Sequence, residues 1–247
     1  MEQGGLKLIN VQNIEKKFKN KVAINKISFK INKGEVVGLL GENGAGKTTI
    51  LRMLSTMLKP TSGTALVNGY DIINEPDKVR SSIGILFGGE AGLYDRLTAR
   101  ENIKYFANLN GIDDTKANVR INELAELLSM KNFIDERAGK FSRGMKQKVA
   151  IARSIVHDPP IILLDEPSIG LDISTTIVVQ DFILKCKEQN KAILFSSHSM
   201  NEIEKVCDRI IMIHKGKLIE DSSIKQLKIK NNNEDLERIF INLVGDK

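Results

Sequence analysis

A glycine-rich loop constrains the fold of this chain more than any other feature. Residues 41–48 read GENGAGKT and fit the phosphate-binding pattern GxxxxGK[ST]. They follow an apolar run of strand length, Val36 to Leu40, and precede a helical pattern over Thr49 to Leu58. Because glycines let successive N–H groups turn toward an anion, and because a helix N-terminus carries partial positive charge, this context predicts a nucleotide-phosphate site.

The loop supplies the first set of candidate site residues. Lys47 carries a positive charge for the β- and γ-phosphates, and the Thr48 hydroxyl is a candidate ligand for Mg²⁺. The predicted nucleotide contacts are Gly41, Glu42, Asn43, Gly44, Ala45, Gly46, Lys47, Thr48 and Thr49. ATP and Mg²⁺ are therefore the expected substrate and metal.

A pair of carboxylates follows a second apolar run. Ile161 to Leu164 reads as a buried strand, and Asp165 and Glu166 come directly after it. Since side chains alternate along a strand, we expect the two acids to point in different directions, Asp165 toward Mg²⁺ and Glu166 toward the attacking water. Acids after a strand are also common helix caps, and Pro167 would suit a helix start.

Apolar runs separated by helical patterns indicate an α/β fold with a mainly parallel sheet. The N-terminal segments Leu6 to Val11 and Ile24 to Ile31 alternate in polarity and predict an added antiparallel layer. The stretch from Leu97 to His157 is helical in pattern and predicts a subdomain. The remaining predicted strands are Ile83 to Phe87, Ala192 to Phe195 and Ile210 to Ile213, and the predicted helices are Arg100 to Asn110, Thr115 to Met130, one from Ser142, one from Ile173, and Asp235 to Leu243.

Composition excludes some partners without identifying one. The net charge is +6, but lysines are scattered among acids and aromatic residues make up only 5% of the chain, so nucleic acid is not an expected partner. No run of about 18 apolar residues is present, as a membrane-spanning helix would require. Residues 1–8 lack a secretory signal pattern, so we expect the protein to stay in the cytosol.

The segment from Phe141 to Arg153, FSRGMKQKVAIAR, resembles the signature of ABC ATPases. It stands in family order with the phosphate-binding loop and the carboxylate pair, and the chain is identified as similar to ATP-binding subunits of ABC transporters. The resemblance implies that two chains pair head to tail, with each ATP between one chain's Lys47 loop and the partner's Ser142 and Gly144. By spacing alone, Ser142 would be only a helix N-cap.

The resemblance implies further roles. His198, which follows the strand from Ala192, would contact the γ-phosphate, and Asp172 would lie in the segment after the carboxylates or would merely cap a helix. Phe18 would stack on adenine, although a Phe in an alternating stretch is more often a core residue. The family's usual glutamine after Ile83 is missing, and Gly88 or Gly89 stands in its place with Glu90 next. Arg143 and Met145 replace the commoner glycine and glutamine of the signature.

The segment from Gly92 to Thr98, with Glu101 and Asn102, looks like that of bacterial exporters of sodium or drugs. We therefore expect a P-loop NTPase of ABC type, with an ATPase domain over residues 1–225, a helical subdomain inserted at about 90–157 and a tail over 226–247. Its expected function is ATP hydrolysis at the cytoplasmic membrane face, powering separate transmembrane subunits.

Three other classes remain as alternatives. A soluble ABC-type ATPase acting on nucleic acid or ribosomes would be expected to show a second loop pair or a clustered basic face, and the sequence has neither. A P-loop kinase or GTPase would leave the signature unexplained, and no NKxD tetrapeptide occurs. An ATP-binding regulator without hydrolysis is disfavoured by Glu166.

Overall fold

A computed structural model describes residues 6–19, 21–88, 92–232 and 235–245. Within these residues ten strands form two sheets. The strands are β1 (Lys7–Phe18), β2 (Lys21–Asn32), β3 (Val36–Leu40), β4 (Ser62–Val67), β5 (Tyr70–Asp71), β6 (Ile83–Leu86), β7 (Ile161–Asp165), β8 (Ala192–Ser197), β9 (Arg209–His214) and β10 (Lys217–Ser223).

The larger sheet has the order β10-β9-β3-β8-β7-β6. All neighbouring pairs from β9 to β6 are parallel, and only β10 is antiparallel, joined to β9 by a tight connection. Every residue of β3 and β7 is buried. Parallel strands that are covered on both faces read as continuous apolar runs, which is why these strands were visible in the sequence.

Alternation along these strands divides the interior into two cores, one on each face of the larger sheet. Ile162 and Leu164 of β7 face a core that contains the helical segments after Ala99, whereas Ile161 and Leu163 face a core shared with the smaller sheet. Successive side chains of a strand point to opposite faces, so one apolar run supplies both cores. The predicted mainly parallel sheet is confirmed.

The smaller sheet is antiparallel, with the order β2-β1-β4-β5. It confirms the predicted N-terminal layer, and it also contains β4 and β5, which the sequence analysis did not predict. The β4 segment begins with Ser62 and Gly63, and Gly63 lies so close to the Asn13 backbone that a Cβ would overlap it. This close approach, invisible in the sequence, lets β4 pair with β1.

The helices cover the larger sheet. They are α1 (Lys47–Leu54), α2 (Pro76–Ser81), α3 (Ala99–Leu109), α4 (Asp114–Leu127), α5 (Arg143–Ile155), α6 (Ile173–Glu188), α7 (Met200–Val206), α8 (Ile224–Lys230) and α9 (Leu236–Gly245), with a 3₁₀ turn at Ala138–Lys140. Helix α1 starts earlier than predicted, inside the loop motif, and stops at Ser55 because Thr56 has a left-handed backbone with φ 64°.

The helical segment and the tail both pack on the same core. Helix α3 starts at a complete capping box formed by Thr98 and Glu101, and α3, α4 and α5 pack together. In the tail, Leu227, Leu236 and Ile239 are buried in that core, and α9 contacts α7. Among the described residues, no helix combines the length and apolarity needed to cross a membrane.

Candidate nucleotide-binding and hydrolysis site

The phosphate-binding loop lies between the end of β3 and the start of α1, at the carboxyl edge of the larger sheet. Gly46 has φ 116° and is so close to Ile24 that a Cβ would overlap it, and a Cβ on Gly41 would overlap the Ile213 carbonyl. The loop therefore requires glycine at both positions. Its helix leaves the first N–H groups directed at the loop, where an anion would accept them.

Lys47 is held in place by the loop itself. Its Nζ donates to the carbonyl of Gly41 at 2.6 Å and to that of Glu42 at 3.3 Å, and it lies 3.8 Å from Glu166 Oε1. The residue is only 5% exposed, and this burial lowers the pKa of Lys47 from its usual value, while Glu166 and Asp165 act in the opposite direction. The ammonium is thus a preplaced cation beside the carboxylates.

Thr48 and Asp165 meet across the loop. The Thr48 hydroxyl donates to Asp165 Oδ2 at 2.7 Å, and Asp165 Oδ1 accepts a hydrogen bond from Ser196 Oγ at 2.6 Å. A hydroxyl and a carboxylate oxygen side by side are the hard donors that Mg²⁺ takes from protein, with phosphate and water completing the shell. The residues present therefore fit a magnesium ion.

Glu166 lies one residue beyond β7 and has a left-handed backbone with φ 49°. Its N–H donates to Ser196 O at 3.1 Å and to Ser196 Oγ at 3.0 Å. Strand alternation, on which the prediction of its direction rested, therefore does not apply to Glu166. Its direction is set by this strained turn, which brings Oε1 to 3.5 Å from His198 Nδ1.

Most of the predicted loop residues border one pocket together with Glu166. The lining consists of Glu42, Asn43, Gly44, Gly46, Lys47, Thr48, Thr49 and Glu166. Gly41 and Ala45 stand behind it: Ala45 is buried and its carbonyl accepts from Gly216 N, which anchors the loop to the turn after β9. His198 does not line this pocket but borders an adjoining one that Glu166 also lines, and its side chain is 56% exposed.

The signature residues do not line this pocket. Ser142 is exposed and caps α5, its Oγ accepting from Met145 N at 3.2 Å, so the N-cap interpretation holds. Gly144 is buried with no room for a Cβ because Thr175 of α6 contacts it. In the described chain neither residue lines the pocket that Lys47 borders. Asp172 likewise caps a helix, α6.

Two further predicted positions lie outside the lining of this pocket. Phe18 ends β1 and is 47% exposed, with Lys16 Nζ 5.1 Å from its ring centre, so it is not the core residue that its pattern also allowed. Gly88 lies two residues after β6, and a Cβ on it would lie 3.1 Å from the Asp165 carbonyl oxygen. Gly89 and Glu90 fall outside the described residues.

Ser196 is a site residue that sequence reasoning missed. It is fully buried at the end of β8 and bonds both to the Asp165 carboxylate and to the Glu166 backbone. The only sequence signal is a pair of hydroxyls ending an apolar strand.

Comparison with known proteins agrees with this geometry. The family model described as ABC transporter matches residues 24–169, more than half of the chain. The chain belongs to the ABC transporter family. It is an ATP-binding and ATP-hydrolysing ABC subunit, and the predicted recognition and fold class are confirmed.

Among relatives, the chain is 46% identical to the ABC transporter ATP-binding protein NatA of Bacillus subtilis, over 95% of this chain and 97% of that protein. It is 37% identical to the doxorubicin resistance ATP-binding protein DrrA of Mycobacterium tuberculosis, over 84% of this chain but only 62% of DrrA.

Solved structures of the family superpose closely. An ATP-binding subunit of an ABC transporter aligns with a TM-score of 0.87 at 25% identity, over 96% of this chain and 99% of the other. A dimeric post-hydrolysis state of the ATP-binding cassette MJ0796 bound to ADP and Pi aligns with a TM-score of 0.80 at 26% identity, over 87% of this chain and 98% of the other.

Proposed function

We propose that this ABC subunit powers an exporter of the drug or sodium type by closing head to tail on ATP with a second ATPase subunit. The observation that carries the proposal is the division of the site. Lys47, Thr48, Asp165 and Glu166 are assembled at one sheet edge, while Ser142 caps an exposed helix outside their pocket. A helix N-terminus that lies outside the nucleotide pocket of its own chain fits the ATP of a partner chain.

Each residue then has a distinct task. Lys47 and the loop amides bind the β- and γ-phosphates, and Phe18 stacks on the adenine. Thr48 and Asp165 would hold Mg²⁺, which would neutralise charge on the phosphates. Glu166 orients and deprotonates the attacking water, and His198, next to Glu166, donates to the γ-phosphate as its charge develops.

Binding can drive closure only through a difference in affinity. ATP must bind the closed dimer more tightly than the open one, because a ligand with equal affinity for both states shifts neither. The Ser142 and Gly144 helix end supplies this difference, since it contacts the γ-phosphate only when the two chains are closed. Hydrolysis and phosphate release remove that contact and reopen the dimer.

An aromatic surface on the helical segment fits a membrane partner. Tyr94 and Tyr105 are both half exposed and pack edge to face, and Tyr105 also contacts Phe106 in that manner. This surface includes the segment from Gly92 to Thr98, whose sequence looks like that of exporters. We assign it to separate transmembrane subunits, which places this subunit peripherally at the cytoplasmic membrane face. The subdomain of residues 90–157 would be the docking part of the domain.

The class of cargo rests on relatives. DrrA and the linearmycin resistance ATP-binding protein LnrL of Bacillus subtilis, 34% identical over 86% of this chain, are named for drug resistance. A soluble ATPase acting on nucleic acid or ribosomes is not favoured, because many basic side chains of the described surface are paired with acids rather than gathered in one patch.

The proposal is tested by affinity isolation of the tagged full chain from detergent-solubilised native membranes, with and without ATP. We expect a polytopic membrane protein to co-purify, together with a second ATPase chain or a second copy of this one.

A double substitution, Tyr94→Ala with Tyr105→Ala, should weaken recovery of the membrane protein. The matched control, Val119→Ala, removes another exposed apolar side chain from α4 and should leave recovery unchanged. Recovery of ribosomes or DNA without any membrane protein would refute the transporter role.

A further inference from the structure

A buried carboxylate outside the nucleotide pocket joins two segments of the site. Glu202, in the first turn of α7, is only 5% exposed. Its Oε1 accepts a hydrogen bond from Ser168 Oγ at 2.5 Å, and its Oε2 accepts one from Ser197 Oγ at 2.7 Å. Both oxygens of one side chain are thus engaged by hydroxyls from two different parts of the chain.

Those two serines adjoin the residues assigned to hydrolysis. Ser168 lies two positions after Glu166, in the turn between β7 and α6, and Ser197 is the last residue of β8, directly before His198. Glu166 Oε1 and His198 Nδ1 are themselves 3.5 Å apart. The hydrogen bonds from Ser168 and Ser197 to Glu202 form a bridge, the Glu202 bridge. It joins the two segments that carry Glu166 and His198, so it bears on the distance between those two side chains.

The turn that carries His198 is tied to Glu202 from both sides. Ser199 N donates to Ser197 Oγ at 3.0 Å, and Ser199 Oγ accepts from Glu202 N at 3.4 Å. His198 itself is exposed, so packing does little to fix it. Its position depends instead on these flanking hydrogen bonds.

In this bridge Glu202 is the hydrogen-bond acceptor for both serines. An ionised carboxylate can only accept, so each serine must donate its single hydroxyl proton to Glu202. Within the described residues no cation pairs with Glu202, and burial of an unpaired carboxylate is unfavourable unless hydrogen bonds satisfy it. The two hydroxyls are therefore held firmly, and with them the two segments.

We propose that Glu202 is a positioning residue for ATP hydrolysis, which keeps the turn after Glu166 and the turn carrying His198 in register. This inference rests on the proposed roles of Glu166 and His198. Glu202 touches neither phosphate nor water in this assignment, and acts only through Ser168 and Ser197. Because a misplacement of about 1 Å in an active site can cost roughly 100-fold in rate, loss of the bridge should slow turnover while leaving nucleotide binding to the loop intact.

The test measures kcat, KM and melting temperature for ATP hydrolysis by the purified full chain. For Glu202→Ala we expect kcat to fall about 10- to 100-fold with KM nearly unchanged. Glu202→Gln should restore most of the rate, since its amide oxygen accepts from one serine and its NH₂ donates to the other. The matched control is Glu204→Ala on the same helix, whose carboxylate pairs with Lys228 instead and whose loss should leave kcat unchanged.

Ser168→Ala and Ser197→Ala test the bridge without removing the buried charge, so they remain informative if Glu202→Ala fails to fold. Each should lower kcat alone, and neither should lower it further in the Glu202→Ala background. The inference is overturned if Glu202→Ala keeps the kcat of Glu204→Ala, or if only its melting temperature changes. It is also overturned if neither serine variant lowers kcat, or if the serine losses add fully to that of Glu202→Ala.

Glu166→Gln in the same assay distinguishes failure of the proposed hydrolysis role of Glu166 from failure of the positioning role of Glu202. If it turns over like the wild type, the assigned role of Glu166 fails. If it loses turnover while Glu202→Ala does not, only the positioning role fails.

Discussion

Two candidate anion-binding regions of this subunit differ sharply in how complete they are within one chain. The phosphate-binding loop is bonded internally: Lys47 donates to two carbonyls of its own loop, and Thr48 is tied to Asp165 on the adjoining strand. The signature helix α5 begins at the exposed Ser142, whose hydroxyl accepts from Met145 N and caps the helix. The first region is preorganised within one chain, whereas in the proposed function the second acts only against another chain.

The difference teaches which effects depend on assembly. A substitution in the phosphate-binding loop should impair ATP binding by a single subunit at any protein concentration. A substitution in the signature should impair only those activities that require two chains.

The largest expected effect is that of Glu166→Gln. The amide cannot take a proton from water, so turnover should fall by about 10²- to 10⁴-fold, while ATP stays bound because Lys47 and the loop are intact. Single-turnover hydrolysis and size-exclusion chromatography in ATP measure this, and we expect the variant to accumulate as a dimer. Wild-type turnover would remove Glu166 from the chemistry and leave the loop as a binding site only.

Ser142→Ala should have an intermediate effect that is confined to the dimer. Loss of one hydrogen bond to a charged phosphate costs about 1.5 to 3 kcal/mol, so ATP-dependent dimerisation and the associated turnover should weaken roughly 10- to 100-fold. ATP binding to the dilute monomer should not change.

Loss of the α5 cap complicates this variant, since an N-cap substitution costs about 1 kcal/mol in stability. Asp113→Ala removes a comparable cap from α4, where Asp113 accepts from Thr115 and Lys116, and serves as the matched control. Ser142→Asp keeps the cap but places a negative charge at the anion site, so it should preserve stability and weaken dimerisation more than alanine does. Equal dimerisation in all three variants would contradict the head-to-tail site.

Phe18→Ala should have the smallest effect. Loss of an aromatic stacking partner costs about 1 kcal/mol, so ATP affinity should fall roughly 5-fold with kcat unchanged. Titration with a fluorescent ATP analogue checks this. Val22→Ala removes another exposed apolar side chain from the same hairpin and should leave affinity unaltered. Equal losses in both variants would assign the effect to the hairpin rather than to stacking.

Prediction from the sequence worked where local pattern and packing agree. Strand β3 was predicted with its observed bounds because both its faces are buried and its sequence is uniformly apolar. Strands β4, β5 and β10, and helices α2, α7 and α8, were missed. They are short or half exposed, and β10 reads as polar because it is the edge strand of its sheet.

The sequence by itself determined the chemical parts of this protein: the loop from Gly41 to Thr48, the carboxylates Asp165 and Glu166, and the signature at Ser142. The loop and the carboxylates follow from local patterns, since the ends of parallel strands place them at one edge of the sheet. The signature follows from the resemblance of residues 141–153 to ABC ATPases. Tertiary structure alone decided how they relate. It placed Ser196 beneath Asp165, turned Glu166 toward His198 through a left-handed backbone, and joined Ser168 to Ser197 through Glu202. Such contacts connect residues about 30 positions apart, and their geometry depends on the packing of β7, β8 and α7, which no local pattern encodes.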